Sequence, residues 1–236
     1  MMRPELHSIA ASFLVLCCFG CGIRVGGRSR EASVPRPEDE LKFDVLYRQN
    51  CAGCHGTNGR NGAAMELANP EYQALVDDAS LRKWIGKGMP QTQMPAFAIS
   101  AGGVLTDKQI DILVQGMRRS WSQPVQVDQP ARPSYAEIQA GDPTRGKAAF
   151  QTFCGSCHKN SKQEVTSPDY LALMNDQAIR SIVIAGRTDI GQPDWRNDKP
   201  GKPMSDQNVS DIVHYLASLR TSTPGQPYGE QWERTE

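Results

Sequence analysis

The sequence predicts an all-α protein made of two tandem copies of one small helical domain. Three observations carry that expectation. The pentapeptide Cys-x-x-Cys-His occurs twice, as Cys51-Ala52-Gly53-Cys54-His55 and as Cys154-Gly155-Ser156-Cys157-His158. The flanks repeat with it: Tyr47 to Asn50 faces Phe150 to Phe153, Leu81-Arg82 with Gly88 faces Ile179-Arg180 with Gly186, and Leu105-Thr106-Asp107 faces Met204-Ser205-Asp206. Apolar residues in both halves recur at the 3.6-residue spacing of an amphipathic helix.

The organisation along the chain follows from composition. Residues 1–21 read as an export leader, with Arg3 before an apolar run from Ile9 to Phe19 that is too short to span a bilayer. Phe19-Gly20-Cys21 resembles the end of a bacterial lipobox, which makes Cys21 the expected lipid anchor; Cys18, three positions earlier, departs from that pattern and leaves ordinary cleavage or an uncleaved anchor open. Residues 22–37, rich in Gly, Arg and Ser, read as a flexible tether.

The first domain is expected over 38–121. Its opening helix begins near Asp39 and sets Leu41, Val45, Leu46 and Cys51 roughly on one face. A middle helix covers 80–87 and ends at Gly88, and a last helix from Thr106 to Trp121 opens on Thr106-Asp107 as N-cap. Residues 122–143 hold Pro124, Pro130, Pro133 and Pro143 and read either as an extended connector or as a loop anchored by Tyr135 and Ile138. The second domain, 144–220, repeats the plan: a helix through Gly146, Ala149, Phe150 and Phe153, a middle helix over 176–185 ended by Gly186, and a last helix from Ser205 to Arg220. In that helix Val209, Ile212, Val213, Leu216 and Leu219 form a core stripe. Residues 221–236 lack periodicity and read as a tail.

Two thiols on one helical turn can bond the vinyl groups of a haem while the next residue offers its imidazole to iron, so each pentapeptide reads as a c-type haem attachment site. A single copy would also suit a zinc knuckle or a redox pair. Zinc would need further ligands, yet the other cysteines are Cys17, Cys18 and Cys21 in the leader, and the other histidines are His7 and His214. Nothing around either motif looks like a thioredoxin strand–helix unit. The prediction is two haem c groups, held by Cys51 and Cys54 and by Cys154 and Cys157. Hydrophobic residues make up only 39% of the chain, and a buried porphyrin would supply part of the apolar core.

With these residues in view, the chain resembles the class I cytochrome c family, through Tyr47 to Gly56, Met94-Pro95-Ala96-Phe97, Gly146 to His158 and the last helix with Tyr215. The resemblance covers nearly all of both halves and implies two class I cytochrome c-like domains, each wrapped round a covalently bound haem. It implies His55 and His158 as proximal iron ligands and Met94 as sixth ligand of the first haem, with Met89 as competitor. In the second half Gln192 stands where the methionine belongs. Met204 is the expected substitute ligand, Gln192 the alternative, and an open site the third possibility. His214 reads as a surface or capping residue. In that family an aromatic of the last helix packs where first and last helices cross; Tyr215 suits this, whereas its counterpart is Gly116, so the first half should pack differently.

The formal net charge is zero, with 26 basic and 26 acidic residues, so nothing points to nucleic acid or an acidic polymer. No nucleophile–base grouping, phosphate loop or paired carboxylates stand out. The expected role is a di-haem electron carrier, not an enzyme, at the periplasmic face of a bacterial respiratory or photosynthetic chain. It would be membrane-anchored through a lipidated amino terminus and exchange electrons with a quinol-oxidising complex, a dehydrogenase, an oxidase or a small cytochrome. The alternatives are a dedicated cytochrome subunit of a larger membrane oxidoreductase, or a haem enzyme or sensor with an open second haem. Lys83 and Lys87, with Lys199 and Lys202, either steer an acidic partner or serve solubility.

Overall fold

The computed structural model describes residues 36–125, 131–158, 165–197 and 202–221. The leader with Cys21, nearly all of the tether and most of the tail lie outside the described residues, as does Lys199. From Pro37 onward the chain forms one compact unit. Its architecture is all-α: among the described residues the only β pairing is two isolated bridges, Ala98 with Leu105 and Arg187 with Gln192.

The first half runs α1 (Phe43–Asn50), α2 (Ala52–His55), α3 (Pro70–Leu75), α4 (Asp78–Lys87) and α5 (Asp107–Trp121); the second runs α6 (Pro143–Phe153), α7 (Gly155–His158), α8 (Pro168–Leu171), α9 (Asp176–Ala185) and α10 (Asp206–Ser218). The starts are set by side chains that accept orphan N–H groups of the first turn. Asn69, Asp77, Asp142 and Asn175 cap α3, α4, α6 and α9. Thr106 with Gln109 and Ser205 with Asn208 form full capping boxes on α5 and α10. Gly88 and Gly186 end α4 and α9 with φ of 71° and 74°, a backbone region that a side chain disfavours.

The opening helix starts at Phe43, not near Asp39. Pro37–Asp39 is a single 3-10 turn, and Gln109 Nε2 of α5 donates to the carbonyls of Pro37 (2.8 Å) and Glu40 (3.1 Å). Those carbonyls are taken by a distant helix, and Leu41 is left 40% exposed. The connector is anchored at Tyr135, whose hydroxyl accepts from Trp84 Nε1 at 2.7 Å, while Ile138 is exposed.

Each half has its own core. Leu46, Leu81, Ile85, Leu105, Ile110, Leu113, Val114 and Met117 are buried together in the first, and Phe150, Leu171, Ile179, Ile184, Trp195, Val209, Ile212 and Leu216 in the second. A fully buried Leu or Ile contributes about 1.5–3 kcal/mol. The cores also exchange residues: Ala185 of α9 joins the first, and Leu75 of α3 packs on the second. The halves meet where α3 packs on α9.

Polar groups pair across this junction, although Glu66 Oε1 accepts no hydrogen bond. Glu71, 4% exposed, accepts from Trp195 Nε1 (3.1 Å), Arg196 Nη2 (2.9 Å) and Arg132 Nη1 (3.4 Å). Glu66, fully buried, accepts at Oε2 from Thr188 Oγ1 (2.9 Å) and the Asp189 N–H (3.1 Å), with Arg60 3.6 Å from its other oxygen. Buried carboxylates persist only when paired and hydrogen-bonded in this way.

Candidate haem sites

The two pentapeptides fold alike. Helix α1 ends at Asn50, and from Cys51 the chain makes one further turn in which the Cys54 and His55 N–H groups donate to the Cys51 carbonyl (3.2 and 3.0 Å). Cys157 and His158 donate to the Cys154 carbonyl in the same way (3.2 and 2.9 Å). A turn of this kind puts both sulfurs and the imidazole beside one another. Cys51 and Cys154 are half-buried, and Cys54 and Cys157 are exposed. Burial, with the neighbouring thiol adding to it, pushes Cys51 up to about 12 and Cys154 up to about 11. Among the described residues no group of three His, Cys, Asp or Glu side chains is placed to hold a bare metal ion.

The imidazoles are held neutral. His55 Nδ1 lies 2.8 Å from the Met65 carbonyl; a carbonyl only accepts, so Nδ1 carries the proton and Nε2 keeps its lone pair for iron. Burial lowers the His55 pKa; the Met65 carbonyl opposes that effect, and the Arg187 charge reinforces it. Burial likewise lowers His158.

Beside His158 lies a cavity of about 600 Å³, walled by Cys154 and by apolar side chains that include Phe150, Leu171, Ile179 and Ile212. Its size falls in the range of cofactor pockets. A thiol and an imidazole on one wall and mostly hydrocarbon on the others suit a covalently held haem. Gly62 and Ala63, which follow the first motif, close the same cavity. Gly62 also packs on the backbone of the first motif, so close that an added Cβ would stand 2.2 Å from the Cys54 carbonyl oxygen, and a wall of the second cavity therefore abuts the first attachment turn. Arg187 ties them together. Its guanidinium is 2.8 Å from the Gly62 carbonyl and 3.0 Å from both oxygens of Asp189, and Asp189 in turn accepts from the Asn61 N–H at 2.6 Å.

The loops after the middle helices share an equivalent hydrogen bond. Met89 N–H donates to the Met94 carbonyl and Arg187 N–H to the Gln192 carbonyl, both at 3.1 Å. Met94 is half-buried against the first core, where a thioether can face the haem side of the loop. Gln192 therefore occupies the structural position of Met94, and it lines the second cavity.

Met204, the expected substitute ligand, lies in the second core. Its N–H donates to the Trp195 carbonyl (2.8 Å) as Leu105 donates to Phe97 (2.7 Å), and its side chain is 6% exposed within the second core. It is absent from the cavity wall, where the one methionine is Met174. The reason is positional: the residue just before a capping box is drawn into the core under the last helix. Arg187 escaped the sequence reading altogether. The available signal was its place in the repeat, opposite Met89 of the first half. His214 pairs with Glu137 at 2.9 Å, away from the cavity wall, and Lys83 lies over the Trp84 ring at 4.3 Å.

Comparison with known proteins agrees with this geometry. Residues 143–220 match the family described as cytochrome c, and residues 41–115 match cytochrome C oxidase, cbb3-type, subunit III. Over 75 residues, 32% of the chain, it is 41% identical to dihydro-heme d1 dehydrogenase of Pseudomonas aeruginosa, of which it covers 14%. Among solved structures, the Kuenenia stuttgartiensis reducing HAO-like protein complex Kustc0457/Kustc0458 aligns with 80% of this chain and 99% of its own, at 16% identity and a TM-score of 0.39.

Proposed function

The chain is a c-type cytochrome of two cytochrome c domains, a protein of electron transfer, and from that premise we propose that it binds two haems and passes single electrons between redox partners at the periplasmic face of a bacterial membrane. Cys51 and Cys54 hold one haem with His55 and Met94 on its iron; Cys154 and Cys157 hold the other with His158. When bound, the haems supply the one-electron couples. The protein supplies covalent attachment, neutral imidazoles and apolar walls, which tune the potentials.

The observation that carries this reading is Gly62, which lines the cavity beside His158 and packs on the Cys54 carbonyl of the first motif, with Arg187 hydrogen-bonded to its carbonyl. Two haem sites joined in one packed unit suit electron exchange within the chain. The leader and Cys21 support export and lipid anchoring, and a singly acylated chain would bind membrane reversibly. Optical redox titration of the holoprotein tests the proposal: two successive one-electron steps are expected, and a single step of one haem contradicts it.

A second reading, a dedicated subunit of a larger oxidoreductase, rests on the dehydrogenase relative, of which this chain matches only 14%. In this reading the matched stretch is an electron outlet for a partner that does the chemistry. Membrane extracts fractionated by size distinguish the two: a subunit migrates with its partners, and a carrier migrates at its own mass.

A further inference from the structure

The second haem site differs from the first at the position that decides what an iron can bind. We propose, resting on the two-haem reading, that the second haem is open: its iron, held by His158, takes a small exogenous ligand of one to three heavy atoms, with Gln192 and Arg187 as polar walls and no protein side chain in the sixth position.

Three observations carry this. Gln192 occupies the structural position of Met94, by the matching loop hydrogen bonds at 3.1 Å, and lines the same cavity as His158. An amide oxygen is a hard, neutral donor and holds haem iron far less firmly than a thioether. Gln192 Nε2 donates to the Ile182 carbonyl at 3.2 Å, which fixes the orientation of the amide beside the cavity. Met204, the soft ligand that could have replaced it, is packed in the core and held by the Trp195 carbonyl.

The remaining sulfur on the wall is Met174. It directly precedes the N-cap of α9, as Val76 precedes Asp77 before α4. Val76 is a buried core residue, so Met174 stands at a wall position of the repeat and not at a ligand position. Arg187 also lines the cavity, its guanidinium fixed by Asp189 and the Gly62 carbonyl. An ion-paired guanidinium and an oriented amide beside hydrocarbon walls make a pocket whose polarity suits a small polar ligand.

The test is carbon monoxide on the reduced holoprotein and cyanide on the oxidised holoprotein, read by optical and spin-resonance spectra after the haem content has been measured by mass. One equivalent of each probe per chain is expected, with one high-spin and one low-spin haem before addition. Gln192→Met should convert the high-spin haem to low-spin and weaken carbon monoxide at least tenfold, whereas Gln192→Leu should leave the site reactive. Two low-spin haems inert to carbon monoxide overturn the proposal. So does Met174→Leu if it exposes a reactive haem that the wild type lacks, since Met174 would then be the ligand. A chain bearing a single haem at Cys154 and Cys157 overturns the two-haem reading alone; a single haem at Cys51 and Cys54 overturns both.

Discussion

Phe43 of α1 lies flat against Gly116 of α5, so close that a Cβ added to Gly116 would stand 2.1 Å from the Phe43 ring. The second half makes the same crossing with the partners exchanged. There Gly146 belongs to the opening helix α6, and an added Cβ would meet the Asp211 carbonyl oxygen at 1.9 Å and Tyr215 Cβ at 2.7 Å. Each crossing thus has one bulky and one missing side chain, on opposite helices. Trp121 completes the first crossing, 5.1 Å from Tyr47 and 5.6 Å from Phe43.

Gly146→Ala should be the more damaging of the two glycine substitutions, because the obstacle is backbone; at Gly116 a ring can shift. Overpacking of this kind costs about 1–3 kcal/mol. Thermal unfolding of the holoprotein measures it, and a milder effect at Gly146 than at Gly116 would contradict the account of the crossings.

Glu66 holds the junction of the halves. Glu66→Ala removes the acceptor of Thr188 and Asp189, and leaving buried donors unsatisfied costs about 1–3 kcal/mol. Denaturant midpoints should fall accordingly, with cleavage by protease between the halves rising; an unchanged midpoint would mean that apolar contacts alone join them.

Acid should weaken the second domain through Asp211. Burial alone would raise its pKa, but the Arg145 guanidinium, the Asp142 N–H and the Gln207 amide outweigh that and hold it below the usual carboxylate range. Its stabilisation is therefore complete above about pH 3.9, the unfolded value, and is lost as pH falls through the lower folded value. Asp211→Asn should cost about 1–3 kcal/mol at neutral pH and flatten the fall in melting temperature between neutral pH and acid. A variant with the wild-type acid profile would remove Asp211 from the account.

Met94→Ala should lower the potential of the first haem, since a thioether opposite histidine stabilises ferrous iron, and should leave the second haem's spectrum unchanged. Redox titration of the variant gives the answer. A shift confined to the other haem would reassign the loops, and no shift would leave Met89 as the ligand.

Much of this was legible in the sequence because it is local. The attachment turns, the caps at Thr106 and Ser205 and the stripe through Val209, Ile212 and Leu216 follow from residue type and spacing within one helix. What was not legible depends on partners far away in the chain. Gln109 captures the carbonyls before α1 and shortens that helix, and Ala185 crosses into the other half's core. The burial of Met204 under α10 likewise depends on packing that its spacing in the sequence does not reveal.

The central claim is tested most directly by mass mapping of peptides from the mature protein. One haem should be found covalently attached to the peptide holding Cys51 and Cys54 and one to the peptide holding Cys154 and Cys157, with none of these four thiols open to alkylation. Two peptides without haem, their thiols alkylated or oxidised, would contradict it.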